Sequence, residues 1–146
     1  MAKPPPKPRW RTVPYIASGG RSDVLDYLED LKTKDFSQWQ HFQNIKDEML
    51  NRGPFDVGPP HWVGVGGGLF ELRWRKNRIY CSIEPTQRIV MYVAVLKRWR
   101  LFRATDRAKC ESRRAEFLSP DYDEQQREYL YLANRQRRQK DGPVQP

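Results

Sequence analysis

Three closely spaced strand patterns between residues 69 and 96 constrain the fold more than any other part of the sequence. Leu69 to Arg75 alternates between apolar and charged residues, and Arg78 to Ile83 alternates in the same way. Ile89 to Leu96, with the sequence IVMYVAVL, is apolar on both faces, as expected for a central strand. Because the connections are short, the three segments predict a small, mainly antiparallel sheet.

Helical patterns lie on both sides of these strands. A first helix is predicted from an N-cap at Ser22 or Asp23, and a second ends at Gly53-Pro54. Their apolar residues recur at three- and four-residue spacing, which favours a helical hairpin packed on the apolar face of the sheet. A further helix with a basic surface is predicted from Thr105 to Leu118. The pattern therefore predicts an α+β fold with an N-terminal helical hairpin, a sheet and a C-terminal helix.

The remaining segments differ from this domain in composition. Residues 1 to 14 are rich in proline and basic residues, which predicts an extended arm, and a short first strand is predicted from Tyr15 to Ala17. Residues 54 to 68 are rich in proline and glycine, which predicts a flexible connection. Because they lack the Lys and Ser or Thr of a phosphate-binding loop, no nucleotide-binding role is expected of them. We therefore predict a domain over residues 15 to 120. Residues 121 to 146 are a polar, basic extension. Three alternatives are open for it: a helix that continues the domain, a helix that binds a partner, or a frayed helix.

Charge and cysteine content limit the class of protein. The 146 residues include 27 Lys and Arg against 18 Asp and Glu, a net charge of +9, which favours a polyanionic partner such as RNA, DNA or an acidic protein. Cys81 and Cys110 are not in a CxxC pair and are predicted to be buried, reduced thiols. No HxH or HExxH spacing indicates a metal site, and no signal peptide or run of about 18 apolar residues is present. We expect a soluble, cytoplasmic protein.

Positive charge is concentrated on the predicted hairpin of residues 69 to 83. If Lys76 and Asn77 formed its turn, Arg75 would face Arg78, and Arg73 would face Tyr80. Like charges opposite each other need an anion, a carboxylate such as that of Glu71, or good solvation. A second basic cluster, of Lys97, Arg98, Arg100 and Arg103, begins where the central strand ends. The pattern leaves two interpretations open, a solvated sheet surface and an anion-binding site.

The segments GLFELRWRKNRIYCSIE and RIVMYVAVLKRWR, placed after two helices, resemble the RelE-like toxins of the RelE/ParE superfamily, especially their phage-related, HigB-like branch. The topological resemblance covers residues 15 to 118, and its specific part runs from Gly68 to Arg98. It implies a RelE-like fold and a type II toxin that cleaves mRNA on the ribosome without metal or cofactor. It also implies a cognate antitoxin, expected to be a helix-turn-helix protein, and no membrane association.

The resemblance also assigns roles to individual residues. Arg78 matches the arginine that contacts the scissile phosphate. Arg98 matches an arginine with a general-acid or charge-stabilising role, and Arg73 matches the arginine of the ELR motif. Arginine suits these roles because its planar guanidinium binds phosphate oxygens in pairs. The candidate RNA-binding residues are Arg75, Lys76, Tyr80, Lys97, Arg100 and Arg103.

Proton transfer is the part of the reaction that the sequence supports least. Attack of a 2′-hydroxyl on the neighbouring phosphate requires groups that accept and donate protons. Where relatives have a histidine this chain has Val93 or Ala94, and no tyrosine stands near Ala104, so Tyr80 is the candidate substitute. The alternative hypothesis is a RelE/ParE-like protein that binds nucleic acid or inhibits gyrase without cleaving RNA.

Overall fold

The computed structural model describes residues 9–58, 60–97 and 102–141 and confirms the α+β class. Its strands are β1 (Arg11–Pro14), β2 (Trp62–Gly66), β3 (Leu69–Trp74), β4 (Asn77–Glu84) and β5 (Arg88–Leu96). Its helices are α1 (Asp23–Lys34), α2 (Phe36–Arg52), α3 (Pro54–Val57), α4 (Ala104–Phe117) and α5 (Glu124–Asp141). Within the described ranges, no helix is both long enough and apolar enough to cross a membrane.

The five strands form one sheet in the order β1-β5-β4-β3-β2. Strands β2 to β5 pair antiparallel as a meander, whereas β1 pairs in parallel with β5. Strand β5 thus lies inside the sheet, and its residues from Ile89 to Val93 are buried. The apolar run of residues 89 to 96 is therefore explained by a strand with neighbours on both sides and helices on both faces.

Helices cover the two faces of the sheet with separate apolar clusters. On the first face, Phe42, Ile45 and Met49 of α2 pack with Trp74 and Ile79 of the hairpin, as predicted. On the second face, the helix α4 buries Cys110 and Phe117 in a cluster with strand residues. The second cluster also contains Val13, Tyr15, Leu69, Tyr80, Val90, Tyr92 and Val93. Both cysteines are buried and free, as predicted.

The ends of the first two helices are set by local capping. Ser22 is the N-cap of α1, and its Oγ accepts a hydrogen bond from the Leu25 amide at 3.3 Å. Asp35 is at once the C-cap of α1 and the N-cap of α2, so the two helices are joined by a single residue. Gly53 ends α2 with a φ of 93°, a conformation that glycine adopts without strain. The predicted helix boundaries at Ser22 and Gly53 are confirmed.

Two sequence predictions about strands were wrong. The first strand is Arg11–Pro14, inside the segment expected to be an extended arm, and not Tyr15 to Ala17. Its Val13 is buried against the second face of the sheet, and this burial stabilises the strand despite the neighbouring prolines. The expected glycine-rich connection contains the short helix α3 and the edge strand β2, because Trp62 is buried and pairs with Leu72 of β3.

The C-terminal extension is a helix that packs on the domain. The Arg127 side chain is 9% exposed, and its Nη1 donates to the Ile16 carbonyl at 2.9 Å and to Glu116 Oε1 at 3.0 Å. The hydroxyl of Tyr15 donates to the other oxygen of Glu116, so one carboxylate of α4 joins the segment after β1 to α5. Helix α5 thus continues the fold beyond residue 120 rather than fraying from it.

Candidate nucleic-acid interface

The turn between β3 and β4 is formed by Arg75 and Lys76, one residue earlier than the sequence predicted. Trp74 pairs with Asn77, so Arg73 lies directly opposite Arg78. Asn77 belongs to the strand because its side chain is buried and fully bonded. Its Nδ2 donates to Gln38 Oε1 of α2 at 2.6 Å, and its Oδ1 accepts from the Tyr27 hydroxyl of α1, also at 2.6 Å. These contacts with the helical hairpin override the usual preference of asparagine for turns.

The corrected register puts two like charges opposite each other, and Glu71 compensates them. Its Oε1 lies 2.8 Å from Nε of Arg78 and 3.7 Å from Nε of Arg73. The side chains of Glu71 and Arg78 are 9% and 10% exposed, whereas that of Arg73 is 33% exposed. Facing arginines need a bound anion, a carboxylate or good solvation, and in this protein the carboxylate of Glu71 compensates their charge. Arg78 is therefore a buried, paired cation, and Arg73 is the more accessible of the two.

Arg78 also fastens the turn that follows Arg73. Its Nη1 donates to the carbonyl oxygens of Arg75 and Asn77, each at 2.8 Å. Arg75 has a φ of 55°, which is uncommon for a residue other than glycine. The side chains of Arg75 and Lys76 are exposed at this turn. The hairpin thus exposes Arg75 and Lys76 at its turn, and Arg78 holds the backbone of that turn by hydrogen bonds.

Tyr80 is buried on the same face of the sheet as Arg78. Its ring stacks on that of Phe102, with centroids 3.9 Å apart and an angle of 13° between the planes. Burial, followed by the charges of Glu71 and Asp106, raises the pKa of Tyr80 to about 12. At neutral pH its hydroxyl is protonated, so Tyr80 is a weak acid and cannot act as a general base. The sequence did not single out Phe102 or Asp106, because neither belongs to an alternating or helical apolar pattern.

The second basic cluster is only partly described. Lys97 follows β5, and its amide donates to the Lys76 carbonyl at 2.7 Å, so the two basic segments meet at one end of the sheet. Arg103 is exposed at the start of α4. Arg98 and Arg100 lie outside the described residues. The structure thus brings together Arg73, Arg75, Lys76, Arg78 and Lys97, and it adds Glu71 to them.

This surface is suited to binding anions. Among the described residues, its only carboxylate in contact with the paired arginines is that of Glu71, and the exposed groups are cations. Of the two histidines, His61 contacts the backbone of Arg73, and His41 is in α2 with its ring facing that of His61, the centroids being 5.7 Å apart. The described residues contain no group of three or more His, Cys, Asp or Glu placed to hold a metal ion.

No protein-family model matches this sequence, and its comparison with curated proteins gives no significant match.

Proposed function

We propose that this protein is a RelE-like toxin that binds mRNA through the basic end of its sheet and cleaves it on the ribosome. The observation that carries the proposal is the facing pair Arg73 and Arg78, which adjoins the exposed turn Arg75-Lys76 and, through Lys76, the segment that begins at Lys97. Phosphate groups spaced along a single RNA strand would be neutralised by such closely spaced cations. In this proposal the site acts in the cytoplasm, and an antitoxin of the helix-turn-helix class neutralises it.

The architecture supports the same proposal. Two consecutive helices pack on one face of a sheet in which β1 runs parallel to β5, and α4 packs on the other face. Of the basic residues that resemble the toxin motif, the described pair Arg73 and Arg78 lies on the α4 side, where β3 and β4 meet at their turn. The described cations at this end of the sheet would attract a polyanion.

The test is to map mRNA 5′ ends after brief expression of the protein in bacteria. We expect new ends and growth arrest with the wild type, and both should be lost with Arg73→Gln. Arg52→Gln is the matched control, because Arg52 is exposed in the last turn of α2 and the substitution removes the same charge. It should behave like the wild type. Growth arrest without new mRNA ends would refute cleavage.

A second candidate function is that of a RelE/ParE-like protein that does not cleave RNA and either binds nucleic acid or inhibits gyrase. The observation that favours it is the burial of Tyr80, the candidate group for proton transfer, because burial raises its pKa to about 12 and so makes its ionised form, which could accept a proton, even scarcer at neutral pH than in an exposed tyrosine. In that case, expression would leave mRNA ends unchanged. A defect in DNA replication that precedes any loss of mRNA would favour gyrase, and unchanged replication would favour RNA binding alone.

A further inference from the structure

The paired arginines of the hairpin differ in how far each is already committed to contacts within the protein. Arg78 is 10% exposed; its Nε forms an ion pair with Glu71, and its Nη1 donates hydrogen bonds to two backbone carbonyls. Arg73 is 33% exposed, and its Nε is 3.7 Å from the same carboxylate. A phosphate could engage Arg73 without breaking a hydrogen bond of the described residues, whereas moving Arg78 would break two.

Breaking those contacts has a physical cost. Moving the guanidinium of Arg78 toward solvent would leave the buried Glu71 carboxylate without its closest cation, and an unpaired buried charge is strongly unfavourable. It would also remove the hydrogen bonds on the carbonyls of Arg75 and Asn77. A phosphate at Arg78 would have to offset all of these losses.

The backbone of Arg73, in contrast, is held while its side chain remains accessible. Its amide donates to the His61 carbonyl at 2.9 Å, and its carbonyl accepts from His61 Nδ1 at 3.0 Å. These two bonds join β3 to His61, the residue before β2, and hold the Arg73 backbone in place. A side chain on a fixed backbone is suited to contacting a ligand, since less freedom is lost on binding.

From these contacts we infer different roles for the hairpin cations, and this inference rests on the proposed RNA binding. Arg73, Arg75 and Lys76 contact RNA phosphates, whereas Arg78 is a positioning residue. Arg78 compensates Glu71 and holds the carbonyl of Arg75, whose φ of 55° needs support from its surroundings. It therefore acts on RNA through the turn. This assignment differs from the resemblance, which makes Arg78 the phosphate contact.

The test is the salt dependence of binding to a fluorescein-labelled, single-stranded uridine 20-mer. The slope of log K against log salt is negative, and for single-stranded nucleic acid each lost phosphate contact reduces its magnitude by about 0.7; 'slope' denotes this magnitude. We expect Arg73→Gln to lower the slope by about 0.7. Arg78→Gln should leave it within about 0.3 of the wild-type value while weakening binding. Circular dichroism establishes that each variant is folded.

The positioning role of Arg78 also predicts that the effects of replacing Arg75 and Arg78 on RNA binding are not additive. If Arg78 acts through the turn, Arg78→Gln should weaken binding in the wild type but have little further effect when Arg75 is already replaced by Gln. A general loss of stability would weaken binding equally in both backgrounds. If Arg78→Gln does not fold, the variant E71Q/R78M replaces it, since this variant removes both charges of the buried pair, and its slope should not fall below that of the wild type.

The outcomes separate this inference from the proposed function. A slope lowered by about 0.7 in Arg78→Gln or in E71Q/R78M would overturn the inference and leave RNA binding intact. Full additivity of Arg75→Gln and Arg78→Gln would also overturn it. Binding by the wild type that does not depend on salt would refute the proposed RNA-binding function itself.

Discussion

Replacing Glu71 by Gln tests whether the buried ion pair stabilises the fold. The substitution keeps the size of the side chain and removes the charge that lies 2.8 Å from Arg78 and 3.7 Å from Arg73. Two arginines would then face each other across the hairpin, one of them buried, with no carboxylate between them. Removing one partner of a buried pair typically costs about 3–5 kcal/mol.

The geometry places the expected loss at the lower end of that range. Within the described residues, the Nε atoms of Arg73 and Arg78 have no aligned hydrogen bond to Glu71, so the stabilisation is mainly Coulombic. Arg73 is also one-third exposed, so solvent screens part of its charge. We therefore expect Glu71→Gln to lower the free energy of unfolding by about 3 kcal/mol. For a chain of this size, that corresponds to roughly 6–12 °C in Tm.

Urea unfolding followed by circular dichroism measures this loss. Glu48→Gln is the matched control, because Glu48 is exposed on α2, and it should change stability by less than about 0.5 kcal/mol. In E71Q/R78M both charges of the closest pair are removed, so the double variant should be less destabilised than the sum of the single variants Glu71→Gln and Arg78→Met by at least about 1 kcal/mol. A loss below about 1 kcal/mol for Glu71→Gln, or strict additivity, would refute the reasoning.

Two further predictions concern other parts of the fold. Gly68→Ala should destabilise the protein by about 1–2 kcal/mol, because Gly68 has a φ of 76° and an added Cβ would lie 2.7 Å from Nη1 of Arg114. Gly19→Ala, where a Cβ meets no atom within 4 Å, is its control, and equal effects in urea unfolding would contradict the prediction. The hydrogen bond from Tyr15, aided by Arg127, lowers the pKa of Glu116 below its usual 4.5 despite partial burial. Its stabilisation is therefore complete above about pH 4.5 and is lost as the pH falls through the lowered pKa of the folded state. Urea midpoints should decline less on acidification in Glu116→Gln than in the wild type.

The elements with a clear period could be predicted from the sequence, and those that depend on tertiary contacts could not. The alternation of β3 and β4, the apolar run of β5 and the caps at Ser22 and Gly53 all carry local signals, and the structure confirms them. Strand β2 was missed because glycines separate its valines, and only the burial of Trp62 reveals its pairing. The buried face of α4 was also hidden, since it includes Asp106, a polar residue.

The hairpin register shows why the candidate site was harder to predict than the fold. Asn77 has the residue type of a turn, but its amide is buried between α1 and α2, contacts about 40 to 50 residues away that no local pattern contains. A shift of one residue moved Arg78 from opposite Arg75 to opposite Arg73. The facing partner, and with it the role of Glu71, therefore depended on a contact with the helical hairpin.

The buried pair also limits how many RNA phosphates the hairpin can neutralise. Near its turn, between residues 71 and 78, the hairpin carries four cations, Arg73, Arg75, Lys76 and Arg78, and one carboxylate, Glu71. If every cation contacted a phosphate, the hairpin would contribute about 2.8 to the salt slope, at about 0.7 for each contact. With Arg78 committed to Glu71, three contacts remain, and the contribution falls to about 2.1. The charge that makes the sequence look suited to RNA is thus partly used to hold the turn, and the exposed remainder determines binding.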